Sequence, residues 1–249
     1  ARQYDDTLIS PWTLFGPNFF IIFFIISLLL LWVLQKSKHI PSNLLLITTH
    51  TGLILSVVLI VFKYGFGFDP HIHQATERWI VEHGSILPKQ PYYIGQYVMV
   101  VMSHFITKLD IFTLDKLLVP LGTILTIPLS TYFALSKADF KYKLFPAIAL
   151  IPLIPLSFFI VTTPNNLALL LAFIAGTWIW YESKAGNNKT YLLGIILSLT
   201  SCAIHPMIGL PVFIIYLGSI IFKGLNRPST KKMLGEGIFY PIYTLIVAG

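Results

Sequence analysis

This sequence predicts an all-α fold, a polytopic transmembrane helical bundle with an outward-facing amphipathic helix in an early loop. Three observations carry that expectation. The 249 residues are 55% hydrophobic and 11% charged, with mean hydropathy +0.77, a balance that belongs to membrane proteins rather than soluble domains. Several apolar runs approach the roughly 20 residues that a helix needs to cross a bilayer. One of those runs is followed by Asp69-Pro70-His71-Ile72-His73-Gln74-Ala75-Thr76-Glu77-Arg78-Trp79, where carboxylates, imidazoles and a guanidinium crowd one boundary.

Taken in order, the candidate spans are 15–34, 44–62, 117–135, 144–161, 167–181, 191–204 and 207–222. The last two are short and meet at His205-Pro206, which predicts a tight hairpin. A further stretch, 92–106, carries Gln96, Ser103 and His104 and is barely long enough to cross. Lys36 and Lys38, then Lys137, Lys141 and Lys143, then Lys184 and Lys189, then Lys223, Arg227, Lys231 and Lys232 mark four basic loops. Short loops rich in Lys and Arg stay in the cytoplasm. Placing all four there requires an odd number of crossings between the Asp69 loop and Lys137, so 92–106 is expected not to cross fully. The four loops hold most of the 17 basic residues but only Asp139, Glu182 and Glu236 of the 10 acids. The N-terminus and the loop 63–116 therefore face outward, and the expected location is the cell (plasma) membrane, multi-pass. The formal charge of +7 reflects these loops, and no nucleic-acid partner is expected.

The chain reads as one transmembrane domain, 1–249, without an internal repeat. It begins at Ala1 rather than Met and ends in a short apolar stretch, 238–249, so it is expected to be a fragment of a longer chain with a C-terminal part missing. No signal-peptide pattern opens it. Cys202 has no partner for an internal disulfide and reads as a small buried residue. His50, within Thr48-Thr49-His50-Thr51, is accounted for by packing and hydrogen bonding between helices.

Asp69 before Pro70 is a good helix start, because Asp accepts from free N–H groups and Pro suits the first helical position. Gly84 is a natural stop. Asp69, His73 and Glu77 recur every four residues and so line one face, flanked by Gln74, Arg78 and Val81. Ile72, Thr76, Trp79, Ile80 and His83 form the other face, against membrane or protein, as in an interfacial amphipathic helix. Each residue also has a plainer reading. Asp69 alone is a helix cap, and Glu77, Arg78 and Glu82 form a solvated face. His73 with Glu77 has the spacing to share a metal, although sequence fixes no third strong ligand. No HExxH motif, Walker loop or Gly-x-Ser-x-Gly elbow occurs, which weighs against zinc proteases, P-loop ATPases and lipases.

Beyond the helix, Lys89, Tyr92, Tyr93, Gln96 and Tyr97 form either an aromatic belt at the interface or a platform for a sugar or lipid headgroup, with Lys89 or Arg78 meeting a phosphate. Thr162-Thr163-Pro164-Asn165-Asn166 is an uncharged polar turn between spans. His205 sits between apolar runs, where an ionisable side chain is costly and often functional; a histidine bonded to a carbonyl is the plainer alternative.

The early outward loop with its acidic motif, the aromatic segment Tyr92-Tyr93-Ile94-Gly95-Gln96-Tyr97 and the polar turn at 162–166 together resemble the GT-C superfamily of membrane glycosyltransferases, which includes oligosaccharyltransferases and protein O-mannosyltransferases. The resemblance covers roughly residues 44 to 222. It implies a sugar donor carried on a polyprenyl phosphate and an acceptor on the outer face. Asp69 maps onto the family's first-loop acid, as general base or metal ligand. Arg78 or Lys89 would neutralise the departing phosphate, while His73 and Glu77 position the acceptor or a metal. Tyr92, Tyr93, Gln96, Asn165, Asn166 and His205 would contact substrate. Oligosaccharyltransferases hold a divalent cation, such as Mg or Mn, with further acids in a second outward turn; residues 162–166 carry no carboxylate, which favours a metal-independent transferase. A carrier or flippase using His50, His104 and His205 is the alternative, and a membrane scaffold docking a partner through Trp79 and Ile80 is another.

Overall fold

A computed structural model describes residues 11–62, 66–67, 69–88, 90–136, 144–150, 156–185 and 191–225. Among these residues the chain is all helical, without a strand. The α-helices are α1 (Pro17–Lys36), α2 (Ile40–Val61), α3 (Asp69–His83), α4 (Ile94–Thr107), α5 (Ile111–Ser136), α6 (Leu144–Ala149), α7 (Pro164–Ala185), α8 (Tyr191–Ile204) and α9 (Pro206–Leu225). Short 3-10 turns occupy Pro11–Leu14 and Leu156–Phe159. Three helices, α1, α2 and α5, are long and apolar enough to cross a membrane, and they suggest a membrane protein. α4 and the apolar segments Leu192–Ile204 and Pro206–Phe222 are shorter.

Local chemistry explains most helix ends. α3 starts at the Asp69-Pro70 pair and stops before Gly84, whose φ of +69° is open to glycine at no steric cost. The Gly84 amide closes the helix on the Ile80 carbonyl at 2.8 Å. Thr163 caps α7: its Oγ1 accepts from the Asn166 amide at 3.2 Å, and Pro164 takes the first helical position. The α8–α9 hairpin turns on His205 alone, as the His205-Pro206 pair predicts.

Three expectations are corrected. α5 begins at Ile111 rather than at residue 117, because Asp110 starts it. The Asp110 carboxylate accepts from the Thr113 amide at 3.0 Å and from the Thr113 hydroxyl at 2.5 Å, and these bonds hold its pKa below the usual carboxylate range. The expected span 144–161 is not one helix: α6 ends at Ala149, and Leu150 is a turn. Pro152 and Pro155 supply the sequence reason, since each removes a backbone donor. Glu182, assigned to a basic loop, is instead a buried residue of α7. Of the basic-loop residues, Lys137, Lys141, Lys143, Lys189, Arg227, Lys231 and Lys232 lie outside the described residues, as does Lys89.

Packing divides the bundle into two ends. At one, Leu30 and Leu34 of α1 meet Ile47, Ile127, Ile148, Ala149 and Leu170. At the other, Val57, Val58, Val61 and Phe62 of α2 pack with Phe66 and Ile160, while Val119 of α5 packs with Leu167, Ala168 and Ile204. The second end also gathers α3, the start of α4, the first turns of α5, the 160–166 turn and the α8–α9 hairpin. Thr162 fastens the turn to α5, its Oγ1 accepting from the Val119 amide at 3.1 Å. α4 approaches α8 closely: a Cβ built on Gly95 would lie 2.7 Å from backbone atoms of Ala203 and Ile204. Only glycine permits that approach, and it sets Tyr93, Gln96 and Tyr97 beside the hairpin.

Candidate functional site

α3 is turned with its polar side inward. Its buried residues are Pro70, His73, Gln74, Thr76 and Glu77, whereas Ile72 and Trp79 are exposed. A helix in water does the reverse, since burying a polar group costs free energy unless it is hydrogen-bonded. Trp79 spans the boundary: its Nε1 donates to the Leu87 carbonyl at 2.7 Å and its ring stacks on His83.

Inward, α3 meets polar side chains of α4 and α5. Gln74 Nε2 donates to Asp115 Oδ2 at 2.9 Å, and Gln96 Nε2 donates to Glu77 Oε1 at 3.0 Å. Gln96 Nε2 also lies 3.5 Å from Asp115 Oδ1, so one amide bridges both acids. Glu77 and Gln96 are fully buried and Asp115 nearly so. Neither carboxylate has a basic side chain within ion-pair distance among the described residues. Burial, then the charge of Asp115, push the Glu77 pKa up to about 9 against the opposing Gln96 bond, so Glu77 keeps its proton at neutral pH. Glu77 Oε2 and Gln96 Oε1 have no hydrogen-bond partner.

Towards the surface, His73 Nε2 lies 3.6 Å from Asp69 Oδ2, and Nδ1 lies 3.0 Å from the Tyr97 hydroxyl. With a proton on Nε2 facing the carboxylate, Nδ1 accepts from Tyr97, which fixes the ring. The Asp69 side chain is 66% exposed, the one acid of this cluster that solvent reaches freely. Tyr93 completes the wall. Its ring meets His73 edge-on at 5.6 Å and stacks on His205 at 5.4 Å. Tyr93 adopts φ +63°, a left-handed conformation that costs a β-carbon residue roughly 1–2 kcal/mol. The surroundings hold it there, and strain of this kind clusters at functional sites.

The sequence-derived candidates divide accordingly. Asp69, His73, Glu77, Tyr93, Gln96 and His205 come together at one end of the bundle. Glu77 is no part of a solvated face, which leaves Arg78 and Glu82 exposed on their own. Its carboxylate turns to Gln96 while His73 turns to Asp69 and Tyr97, so the two do not share a metal. Among the described residues no three His, Cys, Asp or Glu side chains are grouped to hold one. A divalent ion at Asp69, His73 and Glu77 thus does not fit these donors. Tyr92 is exposed and outside the cluster. Asn166 serves the turn, donating from Nδ2 to the Val161 carbonyl at 3.1 Å, and Asn165 Nδ2 donates to Asn166 Oδ1. His205 is not bonded through Nδ1 to a carbonyl; that atom is buried without a partner. The other histidines of the carrier alternative lie apart. His50 Nε2 meets Ser27 Oγ at 2.9 Å and His104 Nδ1 donates to the Leu109 carbonyl at 2.6 Å.

Asp115 is the residue that sequence reasoning missed, since it falls within the loop 63–116 expected to face outward. The available signal was Asp110 as a helix start, which makes Ile111, Asp115 and Val119 one helical face; all three are buried. No family model, no curated protein and no solved structure matches the chain.

Proposed function

We propose that this protein is a multi-pass membrane glycosyltransferase of the GT-C kind, transferring a sugar from a polyprenyl-phosphate-linked donor to an acceptor on the outer face of the plasma membrane. The observation that carries this reading is the exposed Asp69 carboxylate, 3.6 Å from a buried imidazole that Tyr97 orients from behind. That arrangement suits a general base: Asp69 takes the acceptor proton, and His73 holds the carboxylate in place. The acceptor oxygen bonds to the anomeric carbon as its bond to the phosphate oxygen breaks, and the phosphate leaves as an anion. Arg78, exposed on the flank of α3, is the cation available to meet it; Lys89 would join it. Tyr93 and His205 offer stacked ring faces for the sugar.

Two features support the topology of this reading. α3 presents Ile72 and Trp79 outward, as a helix lying at a lipid boundary does. α4 has 14 residues, about 21 Å at 1.5 Å per residue and well short of the roughly 30 Å hydrocarbon core. A non-crossing α4 leaves an odd number of crossings between the Asp69 loop and Lys137, as cytoplasmic placement of Lys36 and Lys137 requires.

The test is transfer from a panel of polyprenyl-phosphate hexoses by the whole protein in proteoliposomes. Asp69→Asn should lower turnover about 100- to 10,000-fold, the range for a general base, with expression and folding intact. Turnover retained by Asp69→Asn contradicts the assignment.

A further inference from the structure

Apart from the α3 cluster, one histidine sits at the middle of a helix long enough to cross a membrane: His50 of α2, facing Ser27 at the middle of α1. A polar side chain at that depth finds no water, and its bonds have to come from protein or ligand. Ser27 Oγ donates its one hydrogen to the Phe23 carbonyl at 2.8 Å, so it accepts from His50 Nε2, 2.9 Å away. With the proton on Nε2, the neutral ring presents Nδ1 as an acceptor. Phe23 stacks on the ring at 5.1 Å, and His50 is only 9% exposed, so the imidazole is fixed and hidden. No donor among the described residues reaches Nδ1. An acceptor left bare in an apolar interior is costly, and it marks a place for an O–H or N–H group from outside the chain.

His50 lines a cavity of about 360 Å³ between α1 and α2. Thr49 lines it too, and its hydroxyl has no hydrogen bond among the described residues. The rest of the wall is aliphatic. Leu30 is buried, whereas Ile26, Leu29, Val33, Leu46 and Leu53 are exposed, so the cavity opens on the flank of two spanning helices, where lipid lies. The volume is that of a small ligand site and holds about a dozen methylene-sized groups at about 30 Å³ each. A partner helix, about 10 Å across, does not enter a space of this size. A plain acyl chain fills it but brings no hydrogen for Nδ1. We propose that this cavity binds a long-chain lipid alcohol, its hydroxyl donating to His50 Nδ1 and accepting from Thr49, its hydrocarbon chain lying along Leu29, Leu30 and Leu46. The site does not rest on the transferase reading.

The test is photolabelling of the whole protein in phosphatidylcholine nanodiscs by a diazirine-bearing dodecanol, with peptide mapping of the label and with dodecanol and dodecane as competitors. Label should fall saturably on the α1 and α2 peptides, and dodecanol should displace it at concentrations where dodecane does not. His50→Phe keeps a ring of similar shape without the acceptor and should weaken displacement by dodecanol about 10-fold, the worth of one hydrogen bond. Leu53→Trp fills the mouth from an exposed position and should abolish the label. Equal displacement by alcohol and alkane makes the cavity an ordinary lipid-facing groove and overturns the site. So does the absence of saturable label, or dodecanol displacement that His50→Phe leaves unchanged. If His50→Phe fails to fold, the comparison of alcohol with alkane on the unaltered protein decides.

Discussion

Two buried glutamates sit at different places in this bundle, and their surroundings differ in two respects. Glu182 of α7 has both oxygens supplied: Trp178 Nε1 donates to Oε1 at 2.9 Å, and the Tyr216 hydroxyl of α9 donates to Oε2 at 2.8 Å. Glu77 of α3 has one oxygen supplied by Gln96 and the other bare, with a second acid close by. Both are equally hidden. A buried acid with donors on both oxygens pins helices together, whereas Glu77, with one donor and a second acid beside it, is held in its protonated form. Burial alone does not separate structure from function; the count of satisfied lone pairs does.

Replacing each acid by its amide turns this contrast into a measurement. Glu182→Gln keeps one acceptor oxygen: turned to Trp178 Nε1, it leaves its NH₂ to the Tyr216 hydroxyl, which must then accept rather than donate. The expected loss is about 1–3 kcal/mol, read from denaturant or thermal unfolding, with transfer per folded molecule unchanged. Tyr216→Phe is milder, because it removes a single donor, the one to Oε2; about 1 kcal/mol should be lost, again without effect on turnover. Arg78→Ala is smallest in stability. Its side chain is exposed, so the midpoint should not move, whereas under the transferase reading the KM for a polyprenyl-phosphate donor rises. An Arg78→Ala variant with a lowered midpoint would place Arg78 in the structural set instead.

Much of this architecture was legible in the sequence because helix signals are local. Asp69-Pro70 and Gly84 bracket α3, and the His205-Pro206 hairpin falls at the predicted residue. The four-residue recurrence of Asp69, His73 and Glu77 gave one face, but not which way it turned. Hydropathy predicts that a polar face seeks water, and it cannot see Gln96 and Asp115 waiting on two other helices. Glu182 was misplaced for the same reason: its partner Tyr216 is 34 residues away. The span at 144–161 rested on apolarity alone, which does not mark where a helix ends. Asp115 was hidden by starting α5 at its first fully apolar residue rather than at its cap.

The most direct test of the central claim, that Glu77 is a buried acid without its full complement of partners, is the pH dependence of stability in choline salt for the unaltered protein against Glu77→Gln. The folded-state pKa of Glu77 is about 9 against 4.5 for the free side chain. Below that lower value both states are protonated, and Glu77 costs the fold nothing. Between the two values the unfolded chain loses the proton that the folded chain keeps, so stability falls as pH rises. Glu77→Gln lacks that proton and keeps an oxygen for the Gln96 amide, and whatever its NH₂ costs at the Oε2 position is the same at every pH. The account predicts that the difference moves steadily in favour of Glu77→Gln from about pH 5 to about pH 9. A difference that stays flat across that window would contradict it.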